Sequence, residues 1–454
     1  MATLAQFAAD CGGALHAEDR DYSSVCIDTR KLTVGELFVA LRGPNFDANA
    51  FIAEAQKRGA AGAVAEVISS DGFPVIQVED GLTALQRAAC AHRRRYAGIL
   101  IGVAGSNGKT TTKEMLASIL ARRAPTLATA GNLNNHIGVP LTLLRLEMQH
   151  RHAVIEMGAN HAGDVTELAG FAQPSIGLVT NAGAEHLEGF GSLEAAARAE
   201  GELFAALPTD GVAVLNVDDP FAGLWREMTV ARIVTFGLGS KADFSARDIH
   251  TASNRQGFVT RFVMHTPQGM VDIELALAGK HNVINALGAA AAAVTAGATL
   301  EQVAAGLASM RPVAGRLQWR STTMGASLID DSYNANPSSM QAAIDVLANQ
   351  PARRWLVIGD MGELGDFAVE AHREAGRYAR THGVERLFAF GTLAALAAES
   401  FGAGSTRHTD IEDLITAVRT ELTADVCLLV KGSRSNRLER LVQALSGAAA
   451  TGTH

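Results

Sequence analysis

Short apolar runs bounded by glycine or polar residues alternate with helical stretches along the chain. The first part predicts short strands at Ser24–Ile27, Leu37–Ala40, Gly62–Ala65 and Val75–Val78, and helices at Phe51–Arg58 and Leu82–Tyr96. Short strands separated by turn residues are typical of a small α/β unit. We therefore predict a small α/β N-terminal domain over residues 1–97.

From Gly98 further short apolar runs follow, each bounded by polar or glycine residues. They predict strands at Ile99–Ala104, Ala153–Met157, Ile176–Thr180, Val212–Asn216 and Arg232–Phe236, with helical patterns between them. Because strands that alternate with helices pair in parallel through crossover connections, this part predicts a parallel sheet. The pattern then predicts a hairpin over Gly257–Leu277 and an alanine-rich helix from His281 to Ala296. These elements define a central domain over residues 98–313.

The last part of the chain repeats the strand–loop–helix pattern. Strands are predicted at Ser327–Asp330, Trp355–Gly359, Leu387–Phe390 and Val426–Val430. Their carboxyl ends carry polar or glycine residues, and open α/β sheets bind ligands at that edge. We predict a Rossmann-like doubly wound domain over residues 314–454, and the whole chain is expected to be a three-domain α/β protein.

Composition narrows the classes of function. The chain has 39 basic and 47 acidic residues, a net charge of −8, which does not favour broad nucleic-acid binding. The longest apolar stretch, Ala286–Leu300, is too short to cross a bilayer. The N-terminus lacks the basic start of a signal peptide, and no cysteine lies in a C-x-x-C pair. We therefore expect a cytoplasmic protein with no nucleic-acid or membrane partner.

The most specific local signal is a glycine-rich loop between a strand and a helix. It reads Gly102-Val-Ala-Gly-Ser-Asn-Gly-Lys-Thr-Thr-Thr112. Its glycines allow the backbone to wrap a phosphate, the helix N-terminus supplies N–H groups, and Lys109 supplies a cation. The general P-loop pattern places glycine where this chain has Val103, so the loop is a variant. The expected ATP-binding residues of the loop are Gly105, Ser106, Asn107, Gly108, Lys109, Thr110 and Thr111.

This variant loop resembles that of the Mur ligases and folylpolyglutamate synthetases, which join an amino acid or peptide to a carboxylate with ATP. Further runs resemble the Mur ligases along the whole chain. They are Thr129-Ala-Gly-Asn-Leu-Asn-Asn-His-Ile-Gly138, Glu156-Met-Gly158, Asn181-Ala-Gly-Ala-Glu-His-Leu-Glu-Gly-Phe190, Gly279-Lys-His-Asn-Val-Ile-Asn285, Gly315-Arg316, Asp330-Asp-Ser-Tyr-Asn-Ala-Asn-Pro337, Gly359-Asp-Met-Gly-Glu-Leu-Gly365 and Lys431-Gly-Ser-Arg434. The Tyr-Asn-Ala-Asn and Gly-Asp-Met-x-Glu-Leu-Gly runs are most typical of the branch that adds D-alanyl-D-alanine.

The resemblance implies a ligase reaction in peptidoglycan synthesis. ATP would phosphorylate the terminal carboxylate of UDP-N-acetylmuramoyl-tripeptide, and the amine of D-alanyl-D-alanine would attack the acyl phosphate. Loss of phosphate from the tetrahedral intermediate would give the pentapeptide product. The expected cofactors are ATP and Mg²⁺, with two ions, and the expected state is a monomer.

The resemblance also implies roles for individual residues. Lys109, Glu156, His186 and Glu200 would be catalytic, and Thr110, Glu156 and His186 would hold Mg²⁺. Asn282 and Asn285 would read adenine, Arg316 would reach the phosphates, and Asp331 would reach the ribose. Asn132 and Asn135 would contact the UDP-linked peptide, and Ser24, Asp28, Thr29 and Arg30 would lie in a uridine-binding region of the first domain. Asp360, Lys431 and Arg434, at strand ends of the third domain, are expected on the dipeptide side.

One position departs from the family pattern. Most Mur ligases carry a lysine on the helix after the His-Leu-Glu loop, and its carbamate supports the second Mg²⁺. Glu200 stands at that place here, and no lysine lies between residues 114 and 240. Our hypothesis is that Glu200 supplies the negative charge directly. The alternative is a surface glutamate without this role.

Three other functions are compatible with parts of the chain. A folylpolyglutamate-type ligase shares the loop and its chemistry, but does not need the first domain. A small-molecule kinase explains Lys109 and Thr110 and leaves Glu156, His186 and the third domain unused. An inactive nucleotide-binding regulator would not need these side chains. The third residue of the tripeptide, diaminopimelate or lysine, stays open.

Overall fold

The N-terminal part of the chain folds around a small mixed sheet. In the computed structural model, residues 2–68, 72–184, 187–239, 241–254 and 257–447 are described. The first strands are β1 (Ala2–Thr3), β2 (Ala14–His16), β3 (Asp21–Tyr22), β4 (Val25–Cys26), β5 (Leu37–Val39), β6 (Arg42–Gly43), β7 (Phe46–Asp47), β8 (Gly62–Ala65) and β9 (Val75–Gln77). Five of them form a sheet in the order β2-β9-β8-β5-β4, with β2 antiparallel. The helices are α1 (Leu4–Cys11), α2 (Ile52–Lys57) and α3 (Gly81–Arg95).

The central sheet has six parallel strands in the order β11-β12-β10-β13-β14-β15. Its strands are β10 (Ile99–Ala104), β11 (Thr126–Ala128), β12 (His152–Glu156), β13 (Ile176–Val179), β14 (Val212–Asn216) and β15 (Arg232–Phe236). The helices of this part are α4 (Lys109–Ala121), α5 (Gly138–Leu143), α6 (Asp164–Ala172), α7 (Leu187–Phe190), α8 (Leu193–Ala205) and α9 (Ala222–Glu227). Because β10 lies between β12 and β13, the loop that follows it emerges near the middle of the sheet.

A three-stranded antiparallel sheet and two helices complete the central part. The strands are β16 (Ser245–Asn254), β17 (Gly257–Thr266) and β18 (Gly269–Leu275), and the helices are α10 (Lys280–Thr295) and α11 (Leu300–Ser309). Thr266 pairs with Gly269 across the turn of the predicted hairpin. The alternating pattern of the sequence did not reveal β16, which has mostly exposed or half-exposed side chains.

The third sheet has six strands in the order β19-β20-β24-β21-β22-β23, of which β19 alone is antiparallel to its neighbour. Its strands are β19 (Gln318–Ser321), β20 (Ser327–Asp331), β21 (Arg353–Gly359), β22 (Arg386–Phe390), β23 (Ser405–His408) and β24 (Val426–Lys431). The helices are α12 (Pro337–Ala348), α13 (Ala368–Thr381), α14 (Ala394–Phe401), α15 (Ile411–Glu421) and α16 (Glu439–Ser446). Two separate clusters of buried apolar residues pack this sheet, one with helices α12, α13 and α14 and the other with helices α15 and α16.

The expected α/β class with parallel sheets is confirmed. The predicted strands of the central sheet match the observed ones to within about two residues, because each is apolar and buried on both faces. Within the described part of the chain, no helix has the length and apolar character needed to cross a membrane.

Helix α4, which begins at the glycine-rich loop, is held in place by close helix packing. Its buried Met115, Leu116, Ile119 and Leu120 join the central core together with α10 and α11. A Cβ atom on Gly306 of α11 would lie 2.5 Å from the Cα of Ile119, so the two backbones leave no room for a side chain. The position of the loop therefore depends on this contact.

We expect Gly306→Ala to lower the free energy of unfolding by about 1–3 kcal/mol, because the added methyl group must push α11 away from α4. Urea denaturation followed by circular dichroism measures the change. Gly170→Ala is the matched control, since Gly170 is exposed on helix α6 with nothing within 4 Å of its would-be Cβ. This control should be neutral or stabilising by about 0.5–1 kcal/mol. Equal effects of the two substitutions would contradict the packing argument.

Candidate functional site

The glycine-rich loop turns sharply from β10 into α4, and two of its glycines occupy positions that no residue with a side chain could take. Gly105 and Gly108 have positive φ angles of 119° and 81°. A Cβ on Gly105 would lie 2.1 Å from Thr180 Oγ1, and one on Gly108 would lie 2.5 Å from Asn285 Oδ1. Lys109 folds back so that its Nζ donates to the carbonyl oxygens of Gly105 (2.6 Å) and Ser106 (3.0 Å). The loop is thus a compact cradle of backbone groups at a helix N-terminus, the arrangement that binds phosphate.

The loop lines a cavity of about 620 Å³ between the central and third parts of the chain. This volume suits a nucleotide-sized ligand. The sequence-predicted residues that line it are Ser106, Asn107, Gly108, Lys109, Thr110, Thr111, Asn132, Asn135, Glu156, Asn282, Asn285, Arg316, Asp331 and Lys431. Tertiary folding therefore brings together residues that are up to 325 positions apart (431 minus 106) in the chain.

Glu156, the last residue of β12, faces this cavity beside Thr110. Its Oε1 accepts hydrogen bonds from Thr110 Oγ1 (3.2 Å) and Asn134 Nδ2 (2.9 Å). Its Oε2 is buried and has no hydrogen-bond partner among the described residues. An unsatisfied carboxylate oxygen next to a hydroxyl is a hard-oxygen donor set of the kind that Mg²⁺ prefers.

The described residues contain no cluster of three or more His, Cys, Asp or Glu that could hold a metal by itself. This absence agrees with the usual binding of Mg²⁺, through one or two carboxylates together with substrate phosphates and water. Glu156 and Thr110 therefore fit the ion as part of a nucleotide complex. His186, the other predicted metal ligand, lies outside the described residues.

Lys113 is a fully buried lysine that the sequence reasoning missed. Its Nζ donates to the carbonyl oxygen of Thr129 at 2.7 Å and lies 3.9 Å from Glu156 Oε2. The Thr129 hydroxyl in turn accepts from the backbone N–H of Glu156 at 3.0 Å. This network fixes the Glu156 backbone and places a positive charge near its carboxylate, while the closer ion pair of Lys113 is with Glu114 at 2.7 Å. One sequence signal was present, since Lys113 follows Lys109 by one helical turn and so lies on the same face of α4.

Asn282 and Asn285 lie on the first turns of α10, where both are buried and line the cavity. Asn282 Nδ2 donates to the carbonyl of Ala278 at 2.7 Å, and Asn285 Nδ2 donates to Asn282 Oδ1 at 3.3 Å. The helix begins after Gly279 without a side-chain cap, so Asn282 is not its capping residue. Burial lowers the pKa of the neighbouring His281 to about 4, which keeps that ring neutral near pH 7.

Arg316, Asp331 and Lys431 enter the cavity from the third part of the chain. Arg316 lies over the Tyr333 ring at 4.4 Å and its Nη2 donates to Thr110 Oγ1 at 3.3 Å. Lys431 Nζ forms a 2.5 Å ion pair with Asp331 Oδ2. Lys431 was expected on the dipeptide side, but the structure places it in the same cavity as the glycine-rich loop.

Two of the residues expected on the dipeptide side lie outside the cavity lining. Asp360 Oδ1 accepts the backbone N–H of Ala394 at 2.6 Å, at the start of helix α14. Arg434 is half exposed, with its guanidinium 5.9 Å from the Tyr333 ring and 3.4 Å from Glu439. Tyr333, a residue that the sequence reasoning did not select by itself, therefore contacts Arg316 and Arg434.

The residues expected to bind uridine form a separate surface of the first part of the chain. Asp28 accepts hydrogen bonds from the backbone and the side chain of Arg30, and these lower the pKa of its carboxyl. The Arg30 side chain is 84% exposed, so the Asp28–Arg30 pair is not a buried ion pair. Ser24 Oγ donates to Glu36 Oε1, and Thr29 begins a short 3₁₀ turn. The Arg30 guanidinium therefore faces solvent, where a ligand can reach it.

Glu200 is buried on helix α8, which excludes the alternative of a surface residue. Its Oε2 accepts the backbone N–H of Gly105 at 2.7 Å. The carboxylate thus contacts the glycine-rich loop, and Glu200 is not among the residues that line the cavity. Its contact with Gly105 was not foreseen, because the two residues are 95 positions apart.

The loop Gly359-Asp-Met-Gly-Glu-Leu-Gly365 is held by a buried histidine. His372 Nε2 accepts the backbone N–H of Met361 at 2.9 Å, while Nδ1 lies 2.6 Å from the carbonyl of Ala368. These two bonds require the neutral ring with its proton on Nδ1. Burial lowers the pKa of His372, in agreement with that state.

Comparison with known families and proteins gives consistent matches. Residues 103–293 match the family model of the Mur ligase middle domain, and residues 315–434 match that of the Mur ligase glutamate ligase domain. A protein of Escherichia coli K12 named UDP-N-acetylmuramoyl-tripeptide--D-alanyl-D-alanine ligase is 42% identical over 449 residues, which cover 98% of each chain. A Bacillus subtilis protein of the same name is 35% identical and covers 93% of this chain and 92% of its own.

Solved structures agree with the sequence matches. A crystal structure of MurF from Acinetobacter baumannii superposes with a TM-score of 0.89 at 34% identity, covering 98% of both chains. MurF ligase from Thermotoga maritima in complex with ADP superposes with a TM-score of 0.82 at 27% identity, covering 93% of this chain and 97% of its own. A Mycobacterium tuberculosis folylpolyglutamate synthase shares the fold, with a TM-score of 0.62 at 17% identity over 81% of this chain and 95% of its own.

We expect the third part of the chain to lose stability as the pH falls from 7 to 5, and His372→Gln to reduce that loss. The folded state lowers the pKa of His372, so its contribution is complete above the unfolded value of about 6.5 and declines below it. Between pH 7 and pH 5, the free energy of unfolding should fall further in the wild type than in the variant, by at most about 2 kcal/mol. Urea unfolding followed by the fluorescence of Trp319 and Trp355 measures it. The same pH dependence in both proteins would contradict the assignment.

Proposed function

The chain belongs to the Mur ligase family, and we propose that it joins D-alanyl-D-alanine to UDP-N-acetylmuramoyl-tripeptide at the expense of ATP. The product is the UDP-linked pentapeptide used in peptidoglycan synthesis. One observation carries the assignment to this site: the glycine-rich loop, Glu156 and the Arg316–Asp331–Lys431 group face one cavity. A single nucleotide bound in this cavity can therefore contact the phosphate-binding loop, a carboxylate suited to a metal ion, and the cationic side chains of Arg316 and Lys431.

The first step transfers the γ-phosphoryl group of ATP to the tripeptide carboxylate. Both reactants are anions, so this step needs neutralised charge and alignment more than covalent help. Lys109 and the N–H groups at the start of α4 bind the β- and γ-phosphates, and Arg316 approaches the same region from the other side of the cavity. Asp331 binds the ribose, while Asn282 and Asn285 read the adenine edge.

The second step forms the amide bond. The amine of D-alanyl-D-alanine attacks the acyl phosphate carbon, and the tetrahedral intermediate expels phosphate. Arg434 binds the dipeptide carboxylate, because a guanidinium can pair with it through two hydrogen bonds. Asn132 and Asn135 orient the tripeptide end of the other substrate. Ser24, Asp28, Thr29 and Arg30 bind its uridine.

Thr110 and Glu156 would hold one Mg²⁺, and His186 would contribute to a second. When bound, these ions neutralise the phosphate oxygens and the charge that develops during transfer. Lys113 holds the Glu156 backbone in place through Thr129, and its positive charge lies near the Glu156 carboxylate. Because ATP and a UDP-linked precursor are the substrates, we place the reaction in the cytoplasm. We also expect the protein to act as a monomer.

Glu200 provides a permanent negative charge where relatives of this chain use a carbamylated lysine. Its burial and its 2.7 Å contact with the N–H of Gly105 support a role beside the loop. The carboxylate is shorter than a lysine carbamate, so it would support a second metal ion through a water molecule. The chain then needs no carbon dioxide for full activity.

The test of the function is phosphate release from ATP and Mg²⁺ with UDP-N-acetylmuramoyl-tripeptide, with and without D-alanyl-D-alanine. We expect release to require both substrates, and mass spectrometry to show a product heavier by the dipeptide. Both the diaminopimelate and the lysine tripeptide should be tried. Lys109→Ala should lower the rate by about 10²–10³-fold, while Lys57→Ala, on an exposed helix, serves as control. Release with folates in place of the tripeptide would favour the folylpolyglutamate-type alternative.

We expect removal of carbon dioxide and bicarbonate from the assay to leave the rate unchanged, because the Glu200 carboxyl is part of the side chain and is not formed from carbon dioxide. The measurement is initial rate in degassed buffer, before and after bicarbonate is restored. Glu200→Gln keeps the shape but loses the charge, and should lower the rate whether or not bicarbonate is present. Activity that disappears on degassing and returns with bicarbonate would refute this role.

A further inference from the structure

A small ring of hydrogen bonds joins the glycine-rich loop to the start of helix α12. Asn336 Nδ2 donates to Asn107 Oδ1 at 2.7 Å, and Asn107 Nδ2 donates to Ser338 Oγ at 3.1 Å. The Ser338 hydroxyl closes the ring by donating to Asn336 Oδ1 at 3.1 Å. Each polar group in the ring is therefore used, although Asn107 is more than 220 residues away from its two partners.

Both sides of the ring are fixed within their own part of the chain. On the loop side, the backbone of Asn107 donates to Asn181 Oδ1 and accepts from Asn181 Nδ2 and Thr180 Oγ1. On the other side, Asn336 is buried and caps α12, where its Oδ1 also accepts the N–H of Ser339 at 2.9 Å. The ring thus connects two rigid anchors, and a shift of either one would break its bonds.

A shift of helix α12 away from the glycine-rich loop would also displace the residues that enter the cavity from the third part of the chain. Asp331 ends β20, and only a short connection separates it from α12, which begins at Pro337. Arg316 Nη2 reaches Thr110 Oγ1 at 3.3 Å, which is near the upper limit for a hydrogen bond. The three hydrogen bonds among Asn107, Asn336 and Ser338 are shorter than the bond from Arg316 to Thr110. They are therefore the stronger connection between the loop and the third part of the chain.

We propose that Asn107, Asn336 and Ser338 form a positioning latch that holds the third part of the chain against the nucleotide loop, so that Arg316, Asp331 and Lys431 reach the nucleotide. The latch makes no bond to a reacting atom. It stabilises the closed arrangement of the cavity over an arrangement in which the two parts have separated. The proposal rests on the proposed function, because the latch serves catalysis only if ATP binds the loop.

The probe is Ser338→Ala, compared with Ser339→Ala. Ser338 bonds to both Asn107 and Asn336, whereas Ser339 Oγ bonds only within the cap, to the backbone N–H and carbonyl of Asn336. Both variants remove one hydroxyl from the same turn of α12, and Ser339 is the residue that completes the capping box, so the loss of helix stability should be at least as large in Ser339→Ala. A difference in kinetics between them therefore isolates the contact with the loop.

We expect Ser338→Ala to lower kcat roughly two- to tenfold, because the loss of a hydrogen bond should shift the equilibrium away from the closed arrangement by about that factor. Ser339→Ala should lower the thermal midpoint of the protein and keep kcat within about twofold of wild type. Ser338→Thr, which retains a hydroxyl, should restore most of the rate. With a non-hydrolysable ATP analogue, small-angle X-ray scattering should give a larger radius of gyration for Ser338→Ala than for wild type.

A double-mutant cycle provides the second measurement. If the ring acts as a unit, Asn107→Ala combined with Ser338→Ala should be no slower than Asn107→Ala alone. Fully additive effects, or equal kinetics and equal scattering for the two serine variants, would overturn the latch. The scattering comparison needs only the ATP analogue, so it still tests the latch if the wild-type enzyme fails to use D-alanyl-D-alanine and the proposed function is wrong.

Discussion

The turn between β10 and α4 is the constraint on which the rest of the structure depends. The chain must pass from the middle of a parallel sheet into a helix within four residues. Gly105 and Gly108 make this turn with positive φ angles, packed against Thr180 and Asn285 without space for a side chain. Lys109 and Thr110 are placed by the same turn. The helices α10 and α11 then hold α4 so that the turn keeps its position.

Buried charge is the second determinant of the site. Glu156 lines the cavity with the buried Lys113 nearby, and Asp331 and Lys431 form an ion pair elsewhere in the lining. Each of these groups would destabilise the folded protein if it were buried alone, so each has a partner of opposite charge nearby. The result is a set of fixed charges whose positions do not need to rearrange when a phosphate or a metal ion arrives. Such preorganisation is what makes charge stabilisation effective in a site that excludes water.

The nucleotide site is divided between two parts of the chain, and this division determines how the site can work. The central part supplies the phosphate cradle and the carboxylate, and the third part supplies Arg316, Asp331 and Lys431. The reacting geometry therefore exists only when the two parts are correctly placed. Movement of domains around a bound substrate is a common way to exclude water and complete a site. Asn107 and Arg316 make contacts across this boundary beside the cavity, and Phe258 packs against Trp319 across it elsewhere.

The sequence alone determined the parallel sheets, the glycine-rich loop and the family resemblance, because apolar periodicity and glycine at a tight turn are local properties. It also indicated Glu156, since an acidic residue at the end of a buried strand must face the ligand edge of the sheet. Only the tertiary structure decided the partners of Lys113 and Lys431, the contact of Glu200 with Gly105, and the meeting of Asn107 with Ser338. Strands β16 and β19 were also missed, because they are antiparallel edge elements without a long apolar run. The physical reason is common to these cases: hydrogen bonds and ion pairs between distant residues depend on how whole elements pack, and no local pattern encodes that distance.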